Sequence, residues 1–145
     1  MTIEYVAGFL FSHDLNHVAL IKKNRPEWQA GKLNAIGGHI EETDVSPLYA
    51  MRREFEEETG VNIVYWNNFA KIQQMNKFAV HFFASTGELK YLETMTDEEV
   101  KVIHVDNLKY HDTIENIPWL MHLAIDCLTD NRPLFAEITY PANSR

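Results

Sequence analysis

The chain has 145 residues, of which 46% are hydrophobic and 23% charged, and its formal net charge is −8. This length and composition predict one globular domain over residues 1–145 with a sizeable core. The negative charge argues against broad attraction to extended nucleic acid or anionic lipid, and no apolar run approaches the roughly 20 residues of a membrane helix.

Three strands are predicted in the first quarter of the chain, from β-branched, aromatic and apolar runs. They cover residues 3–11, 17–23 and 33–36. Turn-forming residues at 12–16 join the first two strands as a hairpin. Residues 24–32 contain a proline and a glycine and predict a loop. The third strand leads directly into the pair Gly37 and Gly38.

A helix is predicted over residues 48–59, with clear signals for its start and its end. Ser46 suits the N-cap, where its hydroxyl can accept a backbone hydrogen bond, and Pro47 suits the first helical position. Gly60 is well placed to end the helix. Apolar side chains at three- and four-residue intervals predict its buried stripe, formed by Leu48, Met51 and Phe55.

Three glutamates of this helix predict a metal site. Glu54, Glu57 and Glu58 are spaced i, i+3, i+4, so a helix projects all three from one face. Like charges this close repel one another, whereas a hard divalent cation such as Mg²⁺ reverses the sign of that energy. Ala50 falls on the same arc, where a small side chain is expected to leave room for a ligand. The alternative is a solvated acidic helix face.

The remaining elements are strands followed by a second helix. Strands are predicted at residues 61–74, 77–85 and 99–105, and a helix at residues 118–128. A turn near Met75 and Asn76 separates the first two of these strands. The tail, residues 133–140, is apolar enough to pack or pair as a strand, with no partner predicted. This order of elements predicts a mixed sheet between helices.

The glycine pair and the acidic helix together resemble the signature of the Nudix hydrolase family. That signature is a glycine, five residues, a glutamate, seven residues, then Arg-Glu, an apolar residue, any residue, Glu-Glu, any residue, Gly and an apolar residue. Residues 53–61, REFEEETGV, match every position of its second half. Gly37, Gly38 and the run GHIEE look like its opening loop. The resemblance implies an α/β fold, a single-domain Nudix-type α/β/α sandwich with a mixed β-sheet.

The opening loop departs from the family signature by one residue. After Gly38 and five intervening residues the chain has Asp44 rather than glutamate, and eight residues instead of seven separate Asp44 from Arg53. The extra residue lies between Thr43 and Ser46, before the helix, so the acidic face is undisturbed. The acidic residue that closes the loop stays open, and the role can also be vacant. The candidates are Asp44, Glu41 and Glu42.

The resemblance also implies roles for the residues of the helix. Glu54, Glu57 and Glu58 are expected to bind Mg²⁺ or Mn²⁺, with the backbone carbonyl of Gly37 as a further ligand. Arg53 is expected to orient these carboxylates. The alternative for Arg53 is an exposed i,i+4 ion pair, worth about 0.2–0.5 kcal/mol.

Family members often draw a further glutamate from a later loop, as metal ligand or general base. Here that loop is the acidic run that contains Glu98 and Glu99, with Glu99 preferred and a solvated acidic loop as the alternative. The helix itself offers the next candidates for the base. The catalytic candidates are therefore Arg53, Glu54, Glu57, Glu98 and Glu99.

Six residues are candidates for contact with the substrate. They are Gly38, His39, Lys32, Arg25, Trp28 and Phe78. Glycine permits close approach of the backbone to a ligand, the basic side chains can pair with phosphates, and the two aromatic side chains can stack on a base. The alternatives are a solvated loop histidine, solvated basic side chains and aromatic core residues.

The resemblance implies metal-dependent hydrolysis of a diphosphate bond in a nucleoside diphosphate derivative. A nucleoside or deoxynucleoside triphosphate, giving monophosphate and pyrophosphate, is the first choice. Dinucleoside polyphosphates, nucleotide sugars and ADP-ribose are alternatives. ADP-ribose-type members often place a proline downstream of the signature, and residues 62–117 contain none. Two rival interpretations are a nucleotide-binding module of Nudix fold with little catalysis and an acidic domain without metal affinity.

The sequence also bears on location and partners. Cys127 is the only cysteine, so no disulfide within the chain is possible, which agrees with a reducing cytoplasm. The start, residues 1–4, lacks the basic residues of a signal peptide. The expected partner is a small nucleotide, with no membrane and no extended nucleic acid. A monomer or a homodimer is expected.

Overall fold

The computed structural model describes residues 2–129 and 134–142, which form eight strands and two helices. The strands are β1 (Ile3–Phe11), β2 (His17–Lys22), β3 (Leu33–Asn34), β4 (Ile36–His39), β5 (Asn67–Gln74), β6 (Phe78–Thr86), β7 (Glu99–His104) and β8 (Ala136–Tyr140). The helices are α1 (Pro47–Thr59) and α2 (Ile117–Thr129). The predicted hairpin, both helices and the turn after β5 are confirmed within one or two residues.

All eight strands belong to one mixed sheet. Its order is β3-β2-β1-β6-β5-β8, with β4 paired to β1 and β7 paired to β2 outside that order. β1 runs antiparallel to β2 and β4 and parallel to β6, while β5 runs antiparallel to β6 and parallel to β8. The β1–β4 register sets Val6 opposite Gly38 and Ala7 opposite Gly37, so the glycine pair lies against the central strand.

One helix covers each face of the sheet. Side chains alternate along a strand, so β1 sends Val6 and Leu10 toward α1 and sends Phe9 and Phe11 toward α2. The buried residues that α2 adds to its cluster are Ile117, Leu120, Met121 and Ala124. Each large apolar side chain buried in this way contributes about 1.5–3 kcal/mol. This arrangement confirms the predicted α/β sandwich with a mixed sheet.

The start and end signals of α1 act as the sequence predicts. The Ser46 hydroxyl accepts a hydrogen bond from the Tyr49 amide at 3.1 Å, and Pro47 is the first helical residue. Gly60 has φ +80°, a left-handed conformation that suits glycine, and its amide donates to the Glu56 carbonyl. These caps fix where the acidic face begins and how it turns relative to the sheet.

Ala50 does not have the role predicted for it. Its side chain is fully buried in the cluster between α1 and the sheet, together with Met51 and Phe55. The small side chain therefore lets the helix approach the strands closely and leaves no room for a ligand. A position four residues before Glu54 lies on the sheet-facing edge of the acidic arc, which spacing alone did not reveal.

The segment after α1 is also shorter as a strand than predicted. Only Asn67–Gln74 pairs with neighbouring strands, while residues 61–66 form no regular element. The Trp66 indole N–H donates to the Ile63 carbonyl at 3.0 Å, and its ring meets Phe55 edge-on with centroids 5.1 Å apart. Within this segment, Ile63 and Trp66 therefore pack against α1 instead of entering the sheet, while Val64 and Tyr65 are exposed.

The C-terminal tail pairs at an edge of the sheet. β8 runs parallel to β5 and sets Ile138 opposite Ile72. Its predicted first residue, Pro133, lies outside the described residues. Within residues 2–129 and 134–142, neither helix combines the length and the apolarity needed to cross a membrane.

Candidate metal and catalytic site

Gly37 and Gly38 bring β4 into very close contact with two different neighbours. A Cβ atom at Gly37 would lie 1.9 Å from the Val6 carbonyl oxygen, and one at Gly38 would lie 2.3 Å from Glu54 Oε2. Real Cβ atoms hardly ever approach within 3.0 Å of another heavy atom, so a Cβ atom at Gly37 would clash with the β1 backbone, whereas one at Gly38 would displace the end of the Glu54 side chain. The Glu54 carboxylate therefore rests directly against the backbone of the glycine pair.

The Arg53 guanidinium ties the acidic helix face to the loop before it. Nη1 lies 3.1 Å from Glu54 Oε1 and 3.1 Å from Glu57 Oε2, and Nη2 donates to the His39 carbonyl at 3.0 Å. Hydrogen bonds to Asp44 first, and to Glu57 next, raise the pKa of Arg53 above its ordinary value. This is the placement expected of a residue that orients the carboxylates, and the role itself stays a prediction.

Asp44 is the acidic residue that closes the loop. Its two carboxylate oxygens accept hydrogen bonds from Arg53 Nε at 2.9 Å and Arg53 Nη2 at 2.8 Å, and its side chain is 0% exposed. Oδ2 also accepts from the Glu41 amide at 2.8 Å. Glu41 itself reaches Arg53 only at 3.7 Å, and Glu42 is exposed. Val45 is 85% exposed, so the extra residue protrudes into solvent.

Replacing Asp44 with asparagine is expected to lower the free energy of unfolding by about 2 kcal/mol at pH 7, the magnitude of a lost hydrogen bond between charged groups. Urea unfolding measures this, with Glu42→Gln as the matched control, expected within about 0.5 kcal/mol of wild type. Arg53 lowers the pKa of Asp44 below the ordinary 3.8. The difference between wild type and variant should therefore be complete well above pH 3.8 and fade as pH falls through the folded-state pKa. Equal losses in the two variants would contradict the assignment.

The predicted metal ligands differ in their surroundings. Burial raises the pKa of Glu54, an effect that the Arg53 charge opposes and the Glu57 charge reinforces. Burial also raises the pKa of Glu58, and a hydrogen bond from the Thr96 hydroxyl partly offsets it. The Glu57 side chain is 55% exposed. Glu54 and Glu58 therefore carry poorly solvated negative charge that a cation would stabilise, whereas Glu57 is open to solvent.

These carboxylates have the chemistry of a site for a hard cation, but they do not converge. Among the described residues, no three histidine, cysteine, aspartate or glutamate side chains stand close enough together to hold an ion. Arg53 holds Glu54 and Glu57, while Thr96 holds Glu58. The oxygen donors on one helix face and the glycine backbone beside Glu54 fit Mg²⁺ or Mn²⁺. Metal binding then requires the three carboxylates to come closer together than they stand here.

The later acidic run is firmly anchored. Glu98 is 5% exposed and accepts hydrogen bonds from Lys23 Nζ at 3.0 Å and from the Asn24 amide at 2.7 Å. Its negative charge contributes to the raised pKa of Glu58. Burial alone would raise the pKa of Glu98, but these hydrogen bonds outweigh it and the pKa is lowered. Glu99 begins β7 opposite Lys22, and the next residue, Val100, packs toward α1. Alternation therefore turns Glu99 to the opposite face of the sheet.

The six candidates for substrate contact fall into two groups. Gly38 and His39 adjoin the acidic face, and the Tyr5 ring lies 4.5 Å from the His39 ring. Arg25 pairs with Asp97, and its charge interacts with Glu58. The other three candidates are Lys32, Trp28 and Phe78. Among the described residues, no hydrogen bond, ion pair or ring contact joins those three to the glutamates of α1.

Trp28 and Phe78 occupy contrasting places. Trp28 is 65% exposed in a short 3₁₀ turn, whereas Phe78 is half-buried against the cluster around α2. Their roles in substrate contact stay predictions.

Two contacts of the site were not predicted from the sequence. The Thr96 hydroxyl donates to Glu58 Oε2 at 2.9 Å, and Lys23 pairs with Glu98. Nothing in the sequence around Thr96 marks it as a partner of the helix. For Lys23 and Glu98 the only signal in the sequence was their opposite charge. The two residues are too far apart in the chain for helical or strand periodicity to indicate that they meet.

A protein-family model, described as the NUDIX domain, matches residues 2–123. Among curated proteins no sequence matches significantly.

Several solved structures share the fold. A MutT structure from work on the Aliivibrio salmonicida and Vibrio cholerae proteins covers 87% of this chain and 99% of its own, at 23% identity and TM-score 0.73. The match to the MutT protein of Bacillus halodurans covers 99% of this chain and 93% of that protein, at 15% identity and TM-score 0.71. The match to the NUDIX domain of Shewanella oneidensis NrtR, in complex with ADP ribose, covers 89% of this chain and 90% of that domain, at 18% identity and TM-score 0.77. At these identities the likeness concerns the fold alone.

Proposed function

The chain belongs to the Nudix family and is a Nudix-type pyrophosphohydrolase, and we propose that its substrate is a nucleoside or deoxynucleoside triphosphate. The products are then the nucleoside monophosphate and pyrophosphate. One observation carries the proposal. Glu54, Glu57 and Glu58 share one helix face, and Gly38 of β4 lies directly against Glu54 on that face.

The carboxylates of α1 are the proposed metal ligands, with the Gly37 carbonyl as a further candidate. When bound, Mg²⁺ or Mn²⁺ offsets the charge of the phosphates and lowers the pKa of a water molecule. In the proposed reaction the oxygen of a water molecule forms a bond to phosphorus, the P–O–P bond breaks on the opposite side so that pyrophosphate leaves, and a carboxylate of the site accepts the water proton. Arg53 keeps Glu54 and Glu57 together while the substrate arrives.

Basic side chains beside the acidic face suit the phosphates of such a substrate. Lys23 lies close enough to Glu58 and Glu98 to stabilise their charges, and Arg25 is 63% exposed while paired with Asp97. An exposed ion pair of this kind is weak, typically about 0–1 kcal/mol, so a phosphate can replace Asp97 as the partner of Arg25. We propose that residues 23–25 receive the phosphate chain.

The loop carboxylate is proposed to be Glu98 rather than Glu99, because Glu98 faces α1 and Glu99 faces away. Replacing Glu98 with glutamine keeps the shape and removes the charge, and is expected to lower kcat about 100-fold, the lower end for a general base. Glu99→Gln is the matched control, expected within about twofold of wild type, or roughly 0.4 kcal/mol of barrier. Steady-state kinetics measure both, and thermal melting shows that each variant is folded. A larger loss at Glu99 would restore the preference drawn from the sequence.

The proposed substrate class is tested with a panel of nucleotides in Mg²⁺ or Mn²⁺, with pyrophosphate and phosphate measured separately. The panel holds the common ribo- and deoxynucleoside triphosphates, an oxidised deoxynucleoside triphosphate, a dinucleoside polyphosphate, a nucleotide sugar and ADP-ribose. We expect the highest kcat/KM on a triphosphate, release of pyrophosphate, and complete loss of activity with a chelator. Release of phosphate alone, or activity that survives chelation, would contradict the proposal.

ADP-ribose hydrolysis is the second candidate, since the NUDIX domain of NrtR in complex with ADP ribose has a similar fold. The panel separates the two, because ADP-ribose yields no pyrophosphate. A nucleotide-binding module without catalysis predicts binding of the same nucleotides with no turnover. The net charge of −8 supports a small ligand over extended nucleic acid as the partner.

A further inference from the structure

We propose that Thr96 is a positioning residue that holds the Glu58 carboxylate in place for metal binding. This inference rests on the proposed role of Glu58 as a metal ligand. The Thr96 hydroxyl lies 2.9 Å from Glu58 Oε2, and this bond joins two residues far apart in the chain. Thr96 itself has no contact with substrate or metal in this proposal and acts through Glu58.

The loop that carries Thr96 is fixed to the end of α1 by its backbone. The Glu93 amide donates to the Thr59 carbonyl at 3.0 Å, and the Met95 amide donates to the Glu58 carbonyl at 3.1 Å. These bonds satisfy carbonyl groups that the last turn of a helix leaves without partners. Thr96 directly follows Met95, so its backbone position is set relative to the backbone of Glu58 itself.

The other side of the loop directs the hydroxyl hydrogen toward Glu58. The Glu98 amide donates to Thr96 Oγ1 at 3.2 Å, so the oxygen serves as the acceptor there. The hydroxyl has one hydrogen to donate, and the ionised Glu58 carboxylate can only accept. The buried Glu98 side chain holds that amide in place through Lys23 and Asn24. The direction of the Thr96–Glu58 bond is therefore determined by its surroundings.

A half-buried carboxylate needs such a partner. Glu58 is only partly exposed to solvent, and among the described residues the Thr96 hydroxyl is the only side chain that donates a hydrogen bond to it. Partners of this kind restrict the orientation of a ligand, and their loss typically weakens metal affinity about 10–100-fold. A valine at this position has nearly the shape of threonine and lacks the hydroxyl, whereas serine keeps it.

The test is Mn²⁺ binding, measured by electron paramagnetic resonance with the full chain in the absence of nucleotide. We expect Thr96→Val to weaken the binding of Mn²⁺ about 10-fold and Thr96→Ser to remain within about twofold of wild type. The kinetic counterpart is a higher Mn²⁺ concentration for half-maximal activity in Thr96→Val, with kcat recovered at saturating Mn²⁺. A general loosening of the fold would lower kcat as well and would not be corrected by saturating Mn²⁺.

Thr94→Val is the matched control from the same loop. The Thr94 hydroxyl accepts from the Val100 amide at 2.9 Å and has no bond to Glu58. We expect it to bind Mn²⁺ as wild type does, and an equal loss in both valine variants would overturn the proposal. If Thr96→Val fails to fold, Mn²⁺ binding by Thr96→Ser still tests the proposal. Weak Mn²⁺ binding by Thr96→Ser would contradict the role of the hydroxyl. Unchanged Mn²⁺ binding in Thr96→Val overturns the Thr96 proposal alone, whereas absence of Mn²⁺ binding in wild type overturns the proposed function itself.

Discussion

Replacing Glu57 or Glu58 with glutamine is expected to lower kcat at least about 100-fold, the magnitude of removing one electrostatic stabiliser of a transition state. Glutamine keeps the length and shape of the side chain and removes one negative charge from the proposed metal site. Each variant should fold as wild type does, because neither carboxylate enters the buried cluster around α1. Steady-state kinetics in Mg²⁺, with melting temperatures alongside, measure the effect.

Glu56→Gln is the control for this prediction. Glu56 is exposed and follows Phe55 on the helix, so its side chain points about 100° away from that of Glu57. We expect activity within about twofold of wild type, or roughly 0.4 kcal/mol of barrier. Comparable losses at Glu56 and Glu57 would show that the wrong face of α1 had been assigned to the metal.

Alanine substitutions at Gly37 and Gly38 are expected to fail in different ways. At Gly37 the new Cβ atom meets the backbone of β1, which cannot give way without breaking the β1–β4 pairing, so the free energy of unfolding should fall by about 3 kcal/mol. At Gly38 it meets the end of the Glu54 side chain, which can swing aside. The Gly38 variant should therefore stay folded and lose activity about 100-fold, because Glu54 is displaced.

Urea unfolding and kcat, measured on both variants, separate these effects. Gly87→Ala is the control, since a Cβ atom there has its nearest neighbour at 3.4 Å, the Leu10 side chain. We expect that variant to keep both the stability and the activity of wild type. An active Gly38→Ala variant would show that the position of Glu54 against β4 is not needed for the reaction.

The parts of the fold that depend on neighbouring residues were predictable from the sequence. Ser46, Pro47 and Gly60 bound α1 as expected, because capping is decided within a few residues. The resemblance to a family supplied the layers of the sandwich. The parallel partner of the tail was not predictable, because β8 meets β5 through residues such as Ile138 and Ile72, which are distant in sequence.

The site shows the same division. Helical spacing was enough to group Glu54, Glu57 and Glu58, and of the candidate loop acids the structure brings Asp44 into hydrogen bonds with Arg53. Spacing could not show that Ala50 is buried. Which side of a helix packs against a sheet depends on how the helix is oriented, and residue spacing does not give that orientation. Spacing also could not distinguish Glu98 from Glu99. Their neighbours on β2 decide which of the two faces α1, and pairing between distant strands brings those neighbours close.

The position of β1 has a consequence for how the protein folds as it is synthesised. β1 is made long before its parallel partner β6, which ends at Thr86, and Phe83 of β6 belongs to the cluster on which α1 rests. Pairings that join distant parts of a chain form slowly, because a long loop must close first. The Arg53–Asp44 contact is local and can form while the ribosome is still adding β5. We therefore expect the Arg53–Asp44 contact to form in the nascent chain before the cluster on which α1 rests is complete, because that cluster needs Phe83 of β6.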